Sequence, residues 1–213
     1  MMDELEFLKK DWKKQGADFP KLSYNEIYKM VHKKSSSIVK WIFIICVAEF
    51  LFWGLIALFI PESTFAIYEK FNLKTFLLVT RILSYIVVFV FIYLFYKNYK
   101  AISMVDNTGS LMKNILKTRK TVNYYVYYNI ALYIVLSVIL NAVMFSHPNI
   151  LIENMMPANS DLDSEKFLTV MIVVQIILLA VMIGIIWLYY RIIYGILLKK
   201  LNRNYKELES LAI

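Results

Sequence analysis

"FLTVMIVVQIILLAVMIGIIWLYY", residues 167–190, runs its whole length without one charged side chain. A hydrocarbon core of ~30 Å is crossed by about 20 apolar residues at helical rise. In lipid, only a helix satisfies its own backbone over such a run. The stretch therefore predicts a transmembrane helix, and 38–60, 76–96 and 124–145 meet the same test. With 60% hydrophobic residues and a mean hydropathy of +0.56, the 213-residue chain reads as an all-α integral membrane protein. Its four transmembrane helices are expected to form two hairpins, accompanied by short cytoplasmic amphipathic helices.

Lys and Arg give the direction. Of 24, 20 lie in the region up to Lys40, in 97–123 or in 191–213, all on one side of the spans. The positive-inside rule makes that side cytoplasmic. Both termini are thus expected inside a bacterial inner membrane, with the loop 146–167 and its Glu153, Asp161, Asp163 and Glu165 outside. Trp41, Tyr96, Tyr124, Tyr125, Trp187 and Tyr190 fall near the cytoplasmic ends, where amphipathic rings anchor in the headgroup layer. The first 37 residues lack the apolar core and small-residue cleavage site of a signal peptide.

Two regions follow: a cytoplasmic amphipathic segment, 1–37, and a transmembrane domain, 38–213, with a cytoplasmic tail. The first is too short for its own core. It reads as two helices joined by "GADFPKL" (16–22). One, about 2–15, aligns Leu5, Leu8 and Trp12. The other opens with "SYNE" (23–26), a capping box, and continues with Tyr24, Ile27, Tyr28 and Val31 at helical spacing. "SLMKNILKTRKTV" (110–122) repeats the pattern. Basic amphipathic helices beside spans lie on anionic lipid or dock a protein. The interfacial reading gives that role to Lys29, Lys33, Lys34, Lys113, Lys117, Arg119 and Lys120. It turns Ile27, Val31, Ile115 and Leu116 toward the acyl boundary. The two basic blocks match at a shift of 84. Tetrapeptides "KNYK" (97–100) and "RNYK" (203–206) match at 106, so duplication and convergence are both open.

Glu49 is the anomaly. It sits at the centre of the apolar run 38–60, where a charge costs roughly 2.5–3.5 kcal/mol on insertion scales. Arg81 is the only basic residue well inside another span, and Asn141 and Gln175 add one polar candidate each from the remaining two spans in the same half of the bilayer. The four are expected to share an interhelical polar cluster, either as glue or as a proton or ligand site.

Catalytic patterns are absent. Two histidines, His32 and His147, and a single cysteine, Cys46, provide no metal framework, and no HExxH, GxSxG, Walker A or dinucleotide fingerprint occurs. "DNTGS" (106–110) reads as a turn before a helix, and "DLDSE" (161–165) as a solvated acidic loop without the spacing of a Ca²⁺ loop. Cys46 is expected to be an inert packing residue. Neither a cofactor nor a nucleic-acid partner is implied, because the positive charge clusters beside the apolar runs.

"LKKDWKKQ" (8–15), "FPKLSYNEIYKMVHKKSSSIVKWI" (19–42), "ILKTRKTVNYYVYYN" (115–129) and "YGILLKKLNRNYKELE" (194–209) resemble an uncharacterised family of small membrane proteins of flavobacterial-type genomes. Members have carried the label beta-carotene 15,15′-monooxygenase. The residues contradict it, since carotenoid oxygenases hold iron with four His on a β-propeller. The short head before the first span is also similar to anti-sigma regulators, whose helical domain is longer. The expected function is a non-enzymatic inner-membrane protein whose basic face binds anionic lipid and a protein partner. A proton-coupled carrier using Glu49 and a tethered transcriptional regulator are the alternatives.

Overall fold

The computed structural model describes residues 23–105, 107–156 and 163–211. The expected helix at 2–15 and residues 161–162 of the acidic stretch lie outside them, whereas Ser164 and Glu165 open the last helix rather than a loop. Among the described residues six α-helices follow one another: α1 (Tyr24–Phe59), α2 (Ala66–Lys70), α3 (Lys74–Ser103), α4 (Thr108–Phe145), α5 (Pro148–Met155) and α6 (Ser164–Leu211). A 3₁₀ turn at Glu62–Phe65 precedes α2. Among the described residues there is no strand.

Four of the helices, α1, α3, α4 and α6, are long and apolar enough to cross a membrane. Local chemistry sets their ends. Ser23 accepts from the Glu26 amide while the Glu26 carboxylate accepts from the Ser23 amide, the expected capping box. Asn107 caps α4 through the Ser110 amide at 2.7 Å. Asn72 turns the chain from α2 into α3 at φ 55°, a left-handed conformation that asparagine tolerates. Pro148 opens α5, where its missing N–H is harmless.

The long helices form a ring: α1 and α4 each pack against both α3 and α6. Their directions alternate. The start of α1, the end of α3, the start of α4 and the end of α6 meet in one core of Val31, Val39, Ile102, Leu111, Ile115, Leu201 and Leu208. A second core, Ile42, Cys46, Phe95, Val122, Tyr125 and Tyr194, continues it inward. We call this the basic end, because most Lys and Arg lie there. At the far end Phe71, Leu73 and Leu151 form a smaller cluster. Between the ends, the most apolar stretches of α3, α4 and α6 bury no residue.

Residues 24–34 and 110–122 are not separate helices lying on a membrane surface. They are the first turns of α1 and α4, and α1 runs straight across the expected boundary at 37. Val31 (2% exposed) and Ile115 (0%) face protein, and Ile27 packs against them. Leu116, expected beside them, is exposed instead. The reason is a continuous stripe: Val31, Ser35, Val39, Ile42, Cys46 and Glu49 recur every three or four residues and are all buried. A stripe that never changes face needs no bend. Burying a valine or isoleucine in this way stabilises by about 1.5–3 kcal/mol each.

Two polar pins fasten the basic end. Asn98 donates to Thr121 Oγ1 at 3.0 Å, and Asn204 donates to Ser35 Oγ at 2.9 Å. These are the asparagines of "KNYK" and "RNYK". Around them Phe95, Asn98 and Ile102 on α3 match Leu201, Asn204 and Leu208 on α6 at a constant shift of 106, all buried. Side chains of α1 also close the end of α3: His32 Nε2 lies 2.7 Å from the Ile102 carbonyl, and the Tyr28 hydroxyl donates to that of Val105 at 3.0 Å.

Candidate functional site

A cluster of phenols surrounds Glu49 where the two inner cores end. Glu49 is the last residue of the buried stripe of α1 and is only 7% exposed. Its Oε2 accepts from the hydroxyls of Tyr125 (2.6 Å) and Tyr194 (3.1 Å), and its Oε1 from that of Tyr189 (2.6 Å). Three helices, α1, α4 and α6, are thereby joined through one carboxylate. Among the described residues, no cation lies within salt-bridge distance of it.

Helical geometry supplies the phenols. Tyr190 and Tyr194 are four residues apart on one face of α6, and Tyr189 flanks them. Tyr125 is held in edge-on contact with Phe95 (5.7 Å, 78°), Phe91 (5.3 Å, 71°) and Tyr190 (6.1 Å, 88°). Edge-to-face pairs contribute about 0.5–1.5 kcal/mol each beyond burial. The rings are therefore fixed before the carboxylate is added. Cys46 is fully buried one turn earlier on α1, in agreement with a packing role.

The chemistry is acceptor saturation. An ionised carboxylate offers about four lone-pair sites, and three of them are filled here. Each such hydrogen bond between neutral groups is worth about 0.5–1.5 kcal/mol net, and more if the carboxyl is ionised. The set satisfies a buried carboxyl without a counter-charge and ties three helices together.

The four residues expected to cluster do not meet. Arg81 is exposed and lies toward the far end, in a groove of about 240 Å³ shared with Glu62, Glu69 and Lys74, the last two ion-paired at 2.6 Å. Asn141 donates to the Ser137 carbonyl one turn back on its own helix, at 2.8 Å. Gln175 is on the exposed surface of α6. Glu49 faces inward as expected, but beside the basic ends of the apolar runs, level with Tyr125 and Tyr189. The run 38–60 misplaced its depth because Val39, Ile42 and Cys46 are apolar to meet protein. The centre of the run 38–60 is level with the ends of the runs 124–145 and 167–190, not with their centres.

Among the residues expected at the interface, Lys29, Lys33, Lys34, Lys113, Lys117 and Lys120 are exposed, while Arg119 donates to Asn202 Oδ1 at 2.7 Å. Trp41, Tyr96, Tyr124 and Trp187 are exposed, as anchors would be. Tyr125 is buried and Tyr190 half-buried, so neither is a headgroup anchor. The signal was in the doublets "YY" at 124–125 and 189–190. Adjacent residues on a helix point about 100° apart, so Tyr124 faces outward while Tyr125 turns to the core; at 189–190 both rings reach inward, Tyr189 to Glu49 and Tyr190 to Tyr125.

Residues 25–213 match the family model described as a domain of unknown function, DUF8845, and the chain belongs to that family. No curated protein and no solved structure matches it.

Proposed function

We propose that the protein is a non-enzymatic, membrane-embedded docking platform whose basic end gathers anionic partners. One observation carries this reading. The four long helices continue beyond their apolar stretches as a single pinned bundle with lysines on its outside. At helical rise, the 36 residues of α1 extend about 54 Å and the 48 of α6 about 72 Å. Both overshoot a ~30 Å hydrocarbon core.

The projecting part carries charge at two levels. Lys40, Lys97, Lys120 and Arg191, all exposed, lie nearest the apolar stretches, within reach of lipid headgroups. Lys33 and Lys113 lie about 10 Å further along their helices, and Lys29 further still. That exceeds a Debye length of about 8 Å. The inner ring therefore takes anionic lipid, and the outer collar takes an acidic protein surface. We place the basic end in the cytoplasm of a bacterial inner membrane by the positive-inside rule.

Affinity purification in mild detergent tests the platform. Changing Lys29, Lys33, Lys113 and Lys117 to Gln should abolish co-purification of proteins seen with the unaltered chain. Equal recovery from both would sink the proposal. Cysteines placed at 16 and 108 should resist an impermeant thiol reagent applied outside, and one at 159 should react, after Cys46→Ala. A carrier using Glu49 fits less well. Its carboxylate already accepts three hydrogen bonds, and α1 and α6 run unbroken through Gly54 and Gly184, unlike the interrupted helices of carriers.

A further inference from the structure

Between α4 and α6 lies a groove of about 200 Å³. Its inner wall is Tyr190 and Tyr194, the latter also a donor to Glu49. Polar groups stand along its length: Asn123, the exposed ring of Tyr127, and Arg191. The Arg191 guanidinium lies 4.7 Å from the centre of the Trp187 ring, which holds it by cation–π attraction. Ile130 and Trp187 continue the groove toward the apolar stretches. Among its described lining residues there is no acid.

We propose that this groove is a binding site for one anionic phospholipid, with the phosphodiester on Arg191 and an acyl chain along Ile130 and Trp187. Four features converge on that occupant. Arg191 follows directly on the apolar run 167–190, at the depth of a phosphate layer. It is a cation in a groove without acids, and a planar guanidinium matches phosphate oxygens in pairs. Asn123 and Tyr127 add neutral donors on the facing helix. The next apolar surface runs inward, as an acyl chain does. Gly195 forms the floor: a Cβ there would meet only the Arg191 Cγ, at 3.9 Å, so the site can be plugged without disturbing the bundle.

This inference rests on the reading that the basic end adjoins an anionic leaflet, and it fails separately from the collar of lysines. The test uses Trp187 fluorescence in the full chain with Trp12, Trp41 and Trp53 changed to Phe, in nanodiscs of phosphatidylcholine. Phosphatidylglycerol with brominated acyl chains should quench Trp187 at roughly tenfold lower mole fraction than brominated phosphatidylcholine, the value of one charge-assisted contact. Arg191→Gln should erase that preference, Arg191→Lys should keep part of it, and Gly195→Phe should weaken quenching by both lipids. Changing Lys29, Lys33, Lys113 and Lys117 to Gln should leave it intact, which separates this site from the platform. Equal quenching by the two lipids, or an unchanged preference in Arg191→Gln, would overturn the proposal. So would relief of the quenching by millimolar inorganic phosphate, which would identify a free-anion site instead.

Discussion

The two halves of the chain, α1 with α3 and α4 with α6, are built alike at the basic end and differ at one point. Ser23 and Asn107, 84 residues apart, cap the first helix of each half. Asn98 and Asn204 pin the second helix of each half to the first helix of the other. Yet the acid lies in one half and its phenols in the other. At the same shifts, Glu49 corresponds to Tyr133, and Tyr125, Tyr189 and Tyr194 correspond to Trp41, Leu83 and Val88. Shared elements thus set the bundle, and the unshared clamp makes the two halves inequivalent.

The clamp should dominate any measure of stability. Glu49→Leu strands the buried hydroxyls of Tyr125 and Tyr194, at about 1–3 kcal/mol each. For a chain of this size that lowers the melting temperature in detergent by roughly 5–15 °C. Adding Tyr125→Phe and Tyr194→Phe should restore part of the loss, because the orphaned groups are then gone. A melting temperature unchanged by Glu49→Leu would remove the clamp from the account.

Next in size are the pins, where the halves should agree. Asn98→Ala and Asn204→Ala each remove a buried hydrogen bond and should cost about 1 kcal/mol or somewhat more, read as similar shifts in thermal melting. Asn141→Ala removes only a bond within its own turn and should cost less. A large difference between the two pins would break the parallel between halves. Arg81→Leu combined with Glu49→Leu sharpens it from another direction. The two effects should add to within ~0.5 kcal/mol, as for groups that do not touch.

The smallest effect lies at the caps. Ser23→Ala and Asn107→Ala should each raise amide exchange several-fold in the first turn of their own helix. Only α1 should add a pH dependence. Bonds from the Ser23 amide and hydroxyl hold the Glu26 carboxyl below the usual carboxylate range. Its contribution is therefore full above the ordinary glutamate value of about 4.3 and is lost as pH falls through the lowered one. Exchange protection at residues 24–27 should drop across that acidic window, and that at 108–111 should not.

Much of this was legible in the sequence. The four apolar runs, the cap at Ser23 and the packing role of Cys46 follow from periodicity and side-chain chemistry. What failed was the partner of Glu49, and the failure has a physical cause. Buried carboxylates were matched only with charges and amides, although this chain's 16 tyrosines are a larger supply of donors. A second error had a related origin. Periodicity alone points Val31 and Ile115 at lipid, because apolarity marks burial without naming what does the burying. Hydropathy is the same for a residue facing an acyl chain and for one facing another helix, so the continuation of α1 and α4 beyond the apolar stretches left no mark in composition. The spacing of Val31, Ser35 and Val39 did carry it, as one face unbroken into the span.

The clamp also divides α6 mechanically. Tyr189 and Tyr194 bracket a fulcrum, with some 25 residues toward the far end and about 17 toward the other. At helical rise these are lever arms of roughly 38 Å and 26 Å. A tilt of about 10° around Glu49 would swing the far tip by roughly 7 Å and the basic tip by roughly 5 Å in the opposite sense, for arms of that length. Because Asn204, Leu201 and Leu208 hold the basic arm, such a tilt would have to break the Asn204–Ser35 pin before it moved that end.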